Sequence, residues 1–236
     1  MNLKCIIFDV DGTMADTERD GHRVAFNLAF AENDLKWVWD ENLYGQLLKI
    51  TGGKERIGYY QNNFLKQEVL SDDEIIQLHK CKTKHYIKLL EAGKIPLRKG
   101  VKELIEAAFK EGIRLAIATT TTPINVTTLL KSTLGENAEN YFDVIAAGDI
   151  VANKKPAADI YNYTLAYLGF NANDCIAIED SNAGLLSAAQ AGIKTIVTTN
   201  GYTKNQDFSK AELVKSNCEE INTELLTQII AGEIYV

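Results

Sequence analysis

Leu3 to Phe8 is a short, nearly continuous apolar run, the form expected of a strand buried on both faces of a sheet. Four later runs share this character: Arg114–Ala118, Phe142–Ala147, Cys175–Ile178 and Lys194–Val197. Between them, apolar positions recur at helical spacing. Val101, Leu104, Ile105 and Ala108 fall at i, i+3, i+4 and i+7, and Gly112 stands where it can close that helix. Pro123 occupies a first-turn position ahead of Val126, Leu129, Leu130 and Leu134. Two further helices should end near Gly169 and Gly192. This alternation predicts right-handed βαβ units: an α/β fold whose doubly wound parallel sheet is covered by helices on both faces.

Residues 16–92 break the rhythm. Val24/Leu28 and Phe26/Phe30 are i,i+4 pairs, Ile75 and Leu78 begin a long helix running to Leu90, and no strand-like run intervenes. The pattern predicts a small all-helical cap, residues 16–92, inserted after the first strand of a core made of residues 1–15 and 93–236. The tail after Tyr202 has the least regular pattern.

Composition narrows the function classes. The 236 residues are 46% hydrophobic and 24% charged, which is globular and excludes disorder. A net charge of −7 disfavours nucleic acid and anionic membrane surfaces as partners. Cys5, Cys81, Cys175 and Cys218 are widely spaced, which is neither a zinc motif nor a disulfide framework and suits a reducing compartment. With no apolar segment of signal-peptide or membrane-span length, a cytoplasmic monomer is expected.

The chemistry gathers at the ends of the apolar runs. Asp9-Val10-Asp11-Gly12-Thr13 directly follows the first run, and a D-x-D-G-T match arises by chance in only about one window in 10⁵. In a doubly wound sheet both carboxylates would face the ligand site at the strands' carboxyl ends. Thr119, Thr120 and Thr121 follow the second strand, where hydroxyls and loop amides can bind phosphate oxygens, or simply cap the next helix. Lys155, after the third strand, can set a point charge beside a transferring phosphoryl group. Glu179-Asp180 closes the fourth strand with adjacent acids that suit a hard cation such as Mg2+, although Asp180 can equally serve as a helix N-cap.

In this order the four pieces resemble the haloacid dehalogenase superfamily of phosphohydrolases, and the room between Asp11 and Thr119 matches that superfamily's smaller-cap subgroup. The stretches around His22–Asn27, Thr51–Ile57 and Phe142–Asp149 are similar, more narrowly, to the CbbY-type sugar phosphatases, which act on xylulose 1,5-bisphosphate. The resemblance runs to about Thr203; one departure is Lys155-Pro156-Ala157-Ala158-Asp159, where many relatives carry a second proline. It implies that Asp9 is the nucleophile and Asp11 the general acid and base. It further implies that Asp9, Asp11 and Asp180 hold Mg2+ with Glu179 beside them, and that Lys155 and Thr119 bind phosphoryl oxygens. The residue types suit these tasks, because a carboxylate can attack phosphorus and a second can move the protons.

The cap carries the substrate-selecting candidates. Thr51-Gly52-Gly53-Lys54 hints at a phosphate loop, but its glycine spacing is not that of a P-loop and Glu55 stands where Ser or Thr would bind metal. The resemblance favours a loop gripping a second phosphate; a plain turn between helices is the alternative. His79 and Lys82 share a helix face with Tyr86, a substrate-facing surface or an ordinary exposed one. Glu18 is placed to bond sugar hydroxyls or to serve as a linker acid, and His22 reads as structural. A phosphorylated sugar is the expected partner. A receiver domain is the rival from another class, disfavoured by length and by the insert and separated by multiple turnover of phosphate release; a dinucleotide-binding protein is weaker still for want of a G-x-G-x-x-G. A sugar phosphomutase resembling β-phosphoglucomutase shares all four motifs and stays open.

Overall fold

The computed structural model describes residues 2–50, 52–66 and 69–233. Its sheet contains β1 (Cys5–Phe8), β2 (Arg114–Thr119), β3 (Val144–Ala147), β4 (Cys175–Glu179), β5 (Lys194–Thr198) and β6 (Leu213–Lys215). All neighbours are parallel, in the order β3-β2-β1-β4-β5-β6. The first five strands coincide with the apolar runs to within two residues at each end. β6 has no such run: its residues are half-buried or exposed, as fits a short edge strand.

The chain falls into two compact units, Met1–Asp16 with Pro96–Val236, and Thr17–Ile95. These boundaries lie one and three residues beyond the expected ones. The reason is local: Ala15 pairs with Leu97 in an isolated antiparallel bridge, so backbone pairing ties both chain crossings to the core. Arg98 reinforces the junction. Its guanidinium donates to the carbonyls of Gly12, Thr198 (3.0 Å), Thr199 (2.6 Å) and Ser216 (2.7 Å), and its Nε lies 3.5 Å from Asp16.

In the inserted unit the described residues form helices α1 (Arg23–Glu32), α2 (Glu41–Leu47), α3 (Gly53–Tyr60) and α4 (Asp72–Glu91), and no strand. Ser71 and Glu74 make a capping box that starts α4. Phe26, Phe30, Trp39, Tyr44 and Tyr60 form the aromatic centre of this unit, with ring centroids 4.7 Å apart for Phe26–Trp39 and 4.9 Å for Phe30–Trp39.

The core unit adds α5 (Val101–Lys110), α6 (Pro123–Leu134), α7 (Asp159–Leu168), α8 (Asn182–Gln190) and α9 (Thr223–Ala231). Pro123 opens α6, and Gly112 and Gly169 follow the ends of α5 and α7 in the left-handed conformation, as the pattern required. β1 is completely buried and lies between β2 and β4. The strand order reverses direction between β1 and β4, the switch point at whose carboxyl side ligands bind in open α/β sheets. Among the described residues no helix is long and apolar enough to cross a membrane.

Candidate active site

Register alone brings three strand ends into one row. Phe8 is level with Ile117 of β2 and Ile178 of β4, so Asp9, Ala118 and Glu179 come next together. The Asp9 amide continues the ladder by donating to Ile178 O at 3.0 Å. Lys155, from the loop before α7, closes this row. Its Nζ donates to Asp9 Oδ1 (2.7 Å), Ala118 O (2.8 Å) and Glu179 Oε1 (2.6 Å). Asp180 lies one residue past Glu179, and its Oδ2 accepts from Asn200 Nδ2 at 2.6 Å.

Asp9, Glu179 and Asp180 are all buried, and one oxygen from each falls within 4.8 Å of the others. Burial raises the Asp9 carboxyl to about 7, with Glu179 pushing the same way and Lys155 opposing it. Asp180 is held well above the usual carboxylate range, chiefly by burial and then by Asp9 and Glu179. Burial works against the Lys155 charge, but Asp9 and Glu179 outweigh it and raise its pKa. Three buried carboxylates therefore face one ammonium. That excess of negative charge, on oxygen donors only, fits a hard divalent cation.

Two glycines make the arrangement possible. Gly12 has φ +84°, and the side chains of Asp180 and Asn200 close on the space a Cβ would need. At Gly184, in the first turn of α8, a Cβ would run into the Glu179 carboxylate. The N-cap of α8 is Ser181, whose Oγ accepts from Gly184 N at 3.1 Å. The N-cap role open to Asp180 is thus taken by its neighbour, and Asp180 remains with the carboxylate cluster. The threonine loop does not cap α6 through a side chain either. Thr119 is buried with Oγ1 accepting from the Thr121 amide at 3.3 Å, Thr121 Oγ1 accepts from Asn125, and Thr120 is half-buried. Asp11 sits half-buried and close enough to Asp9 to raise its pKa.

Two neighbours of the site carried no functional signal in the sequence. Tyr161 reads as a core position of α7, yet its hydroxyl donates to Glu179 Oε1 at 2.6 Å and its ring lies 5.2 Å from Lys155 Nζ. Asn200 lies two residues past β5, and the rule that ligands gather at strand ends would have found it.

The other candidates belong to the inserted unit. Thr51 lies outside the described residues. Gly52 precedes α3, Gly53 starts it with His79 Nε2 packed where a Cβ would go, and Lys54 is exposed. Lys82 is not on an open surface: it is 6% exposed, its Nζ lies 2.8 Å from His22 Nδ1, and it sits over the rings of Phe26 (5.0 Å) and Tyr86 (5.2 Å). His22 is stacked on Tyr86 with centroids 3.9 Å apart. Burial, then the charges of Lys82 and Lys54, lower the His79 pKa to about 4. Glu18 accepts from Tyr44 Oη at 2.5 Å, and Tyr44 in turn accepts from Arg56 at 2.8 Å, so this acid is the half-buried end of a polar chain.

Comparison with known proteins completes the description. Residues 6–198 match the haloacid dehalogenase-like hydrolase family. Protein CbbY of Rhodobacter capsulatus is 48% identical over 212 residues, 90% of this chain and 92% of that protein. A CBBY-like protein of Arabidopsis thaliana is 43% identical over 89% of this chain and 67% of its own length. Among solved structures, a mutant CbbY from Rhodobacter sphaeroides in complex with xylulose-(1,5)bisphosphate is similar at TM-score 0.85 and 41% identity, covering 93% of this chain and 96% of that one. A β-phosphoglucomutase from Clostridium difficile, at 20% identity, TM-score 0.78 and 98% coverage of both chains, shares the fold.

Proposed function

The chain belongs to the haloacid dehalogenase-like hydrolases, and we propose that it is a Mg2+-dependent phosphatase acting on a small sugar bisphosphate such as xylulose 1,5-bisphosphate. The observation that carries this reading is Lys155 bridging Asp9 and Glu179 at the switch point of the sheet. The likeness to a CbbY solved with xylulose bisphosphate supports the substrate class.

Asp9 is the nucleophile. Its carboxylate oxygen attacks phosphorus while the sugar oxygen leaves, giving an aspartyl phosphate. Asp11 gives its proton to the leaving oxygen and takes one from the water that then cleaves the acyl phosphate. Lys155 fixes Asp9 through Oδ1 and offers its charge to the phosphoryl oxygens. Thr119 donates to another of those oxygens. Asp9, the Asp11 carbonyl and Asp180, with Glu179 alongside, would hold Mg2+, which would supply positive charge for a phosphate dianion to approach these carboxylates. Gly52, Gly53, Lys54, His79 and Lys82 are the proposed donors to the second phosphate, with Glu18 toward the sugar hydroxyls and the Thr120 and Thr121 loop toward the first phosphate.

The test is phosphate release from xylulose 1,5-bisphosphate and from the matching monophosphate, with Mg2+ and after chelation. Multiple turnovers on the bisphosphate that stop on chelation support the reading. Isomerised sugar phosphate without net phosphate release would replace it with a mutase.

A further inference from the structure

Cys81 and His85 stand one turn apart on α4, and Glu32, the last residue of α1, reaches the same spot. His85 Nε2 lies 2.7 Å from Glu32 Oε2, and the Cys81 sulfur lies beside that same carboxylate. One sulfur, one ring nitrogen and one carboxylate oxygen thus fall within 4.8 Å of one another. An ordinary His–Glu pair has no need of the third group.

We propose that Glu32, Cys81 and His85 form an accessory site for a borderline divalent metal ion of the zinc type, built from the inserted unit alone. The donor set decides the class of ion. Thiolate and imidazole prefer zinc, cobalt or copper to magnesium, in contrast to the all-oxygen cluster of Asp9, Glu179 and Asp180. Zn–S of about 2.3 Å and Zn–N of about 2.0–2.1 Å imply tetrahedral ligand separations of roughly 3.3–3.6 Å, within reach of small side-chain movements. Water takes the fourth position.

The charges balance. Binding expels the thiol proton of Cys81 to solvent, and the Nε2 hydrogen that His85 shares with Glu32 leaves as well, to solvent or by exchange to Nδ1, so that Nε2 offers its lone pair to the ion. Thiolate and carboxylate then neutralise the dication, against some opposition from Lys84 and Lys88 nearby. Burial and Glu32 keep the free thiol above its usual pKa, so without metal Cys81 stays protonated. A bound ion would cross-link α1 to α4.

Cys5, Cys175 and Cys218 are buried, so Cys81 is the thiol open to reagents in the folded chain. The full chain, stripped by chelation and kept in excess Mg2+, is titrated with Zn2+ while modification of Cys81 is timed. A tenfold excess of Zn2+ over its dissociation constant should slow modification by about 10-fold. Co2+ in place of Zn2+ should give a thiolate-to-cobalt charge-transfer band that C81S abolishes and H85Q weakens, with circular dichroism confirming that both variants are folded. Unchanged modification rates with Zn2+, or a cobalt spectrum without the thiolate band, would overturn the site. So would protection that survives unaltered in both H85Q and E32Q, which would mean an adduct on the thiolate only.

Discussion

Tyr161 donates its hydroxyl hydrogen to Glu179 Oε1, the same oxygen that receives Lys155 Nζ. The two donors pin a wholly buried carboxylate that helps to hold Lys155 beside Asp9. Tyr161→Phe should therefore reduce kcat by about 10-fold, the usual scale for a residue that orients a site without touching substrate. The net loss of one hydrogen bond should cost about 1 kcal/mol of stability. Steady-state kinetics with a denaturant titration check both; unaltered kcat would show that Lys155 holds Glu179 by itself.

Asp9→Asn should abolish turnover by on the order of 10³-fold or more, because the proposed covalent step loses its nucleophile. Lys155 keeps its bond to Glu179 in this variant, so the fold should persist. A folded Asp9→Asn protein that releases phosphate at the wild-type rate would rule out the covalent route.

Removing the divalent ion should stop activity and also destabilise the core unit, since Asp9, Glu179 and Asp180 then repel one another in a buried space. Thermal melts with and without Mg2+ measure the second effect. In Asp180→Asn the Mg2+-induced rise in Tm should shrink. A melt insensitive to Mg2+ would mean that the cluster does not take the ion.

His79 gives a pH signature. Its folded pKa of about 4 lies below the ordinary value of 6.5, so between those values the unfolded chain binds more protons than the folded one. Stability from this group is present above pH 6.5 and is lost as pH falls toward about 4. The loss should be on the order of 1–3 kcal/mol, after allowance for the partial exposure of the ring. Comparing the pH dependence of unfolding in wild type and His79→Gln isolates the contribution; equal slopes would show that the ring titrates normally.

Lys54→Ala should erode a preference for bisphosphate over monophosphate. Lys54 is exposed and next to the glycines that begin α3, so its substitution leaves the buried packing intact. Loss of one charge-assisted contact corresponds to about 1.5–3 kcal/mol, or roughly 10- to 150-fold in kcat/KM for the bisphosphate alone. An unchanged ratio would assign selectivity elsewhere.

The placement of the core acids was legible because buried parallel strands announce themselves. Ile6 to Phe8 read as a strand from apolarity alone, and the acids at Asp9 and Glu179 then had to stand at its end and its neighbour's. β6 was not legible, since an exposed three-residue edge strand has no pattern to detect. Tyr161 hid behind its own hydrophobicity, because helical spacing marks a core position without telling where a hydroxyl points. Lys82 was open to misreading for the opposite reason. A lysine on a helix looks solvated until a distant His22 and two aromatic rings are brought over it. Nor could cysteine spacing suggest Cys81 as a ligand, for its companions are a histidine one turn on and a glutamate from another helix.

The Ala15–Leu97 bridge makes the place where the chain leaves the sheet and the place where it returns a single point. To the sheet, everything between is one loop whose ends are already closed. Closure entropy grows only with the logarithm of length, about 0.6 kcal/mol for each doubling. Going from a short turn to an insert of this length is about four doublings, so it burdens the core by only about 2–3 kcal/mol. The junction works as a socket: a change in the length of the insert leaves the residues at the ends of β1 and β4 in their row.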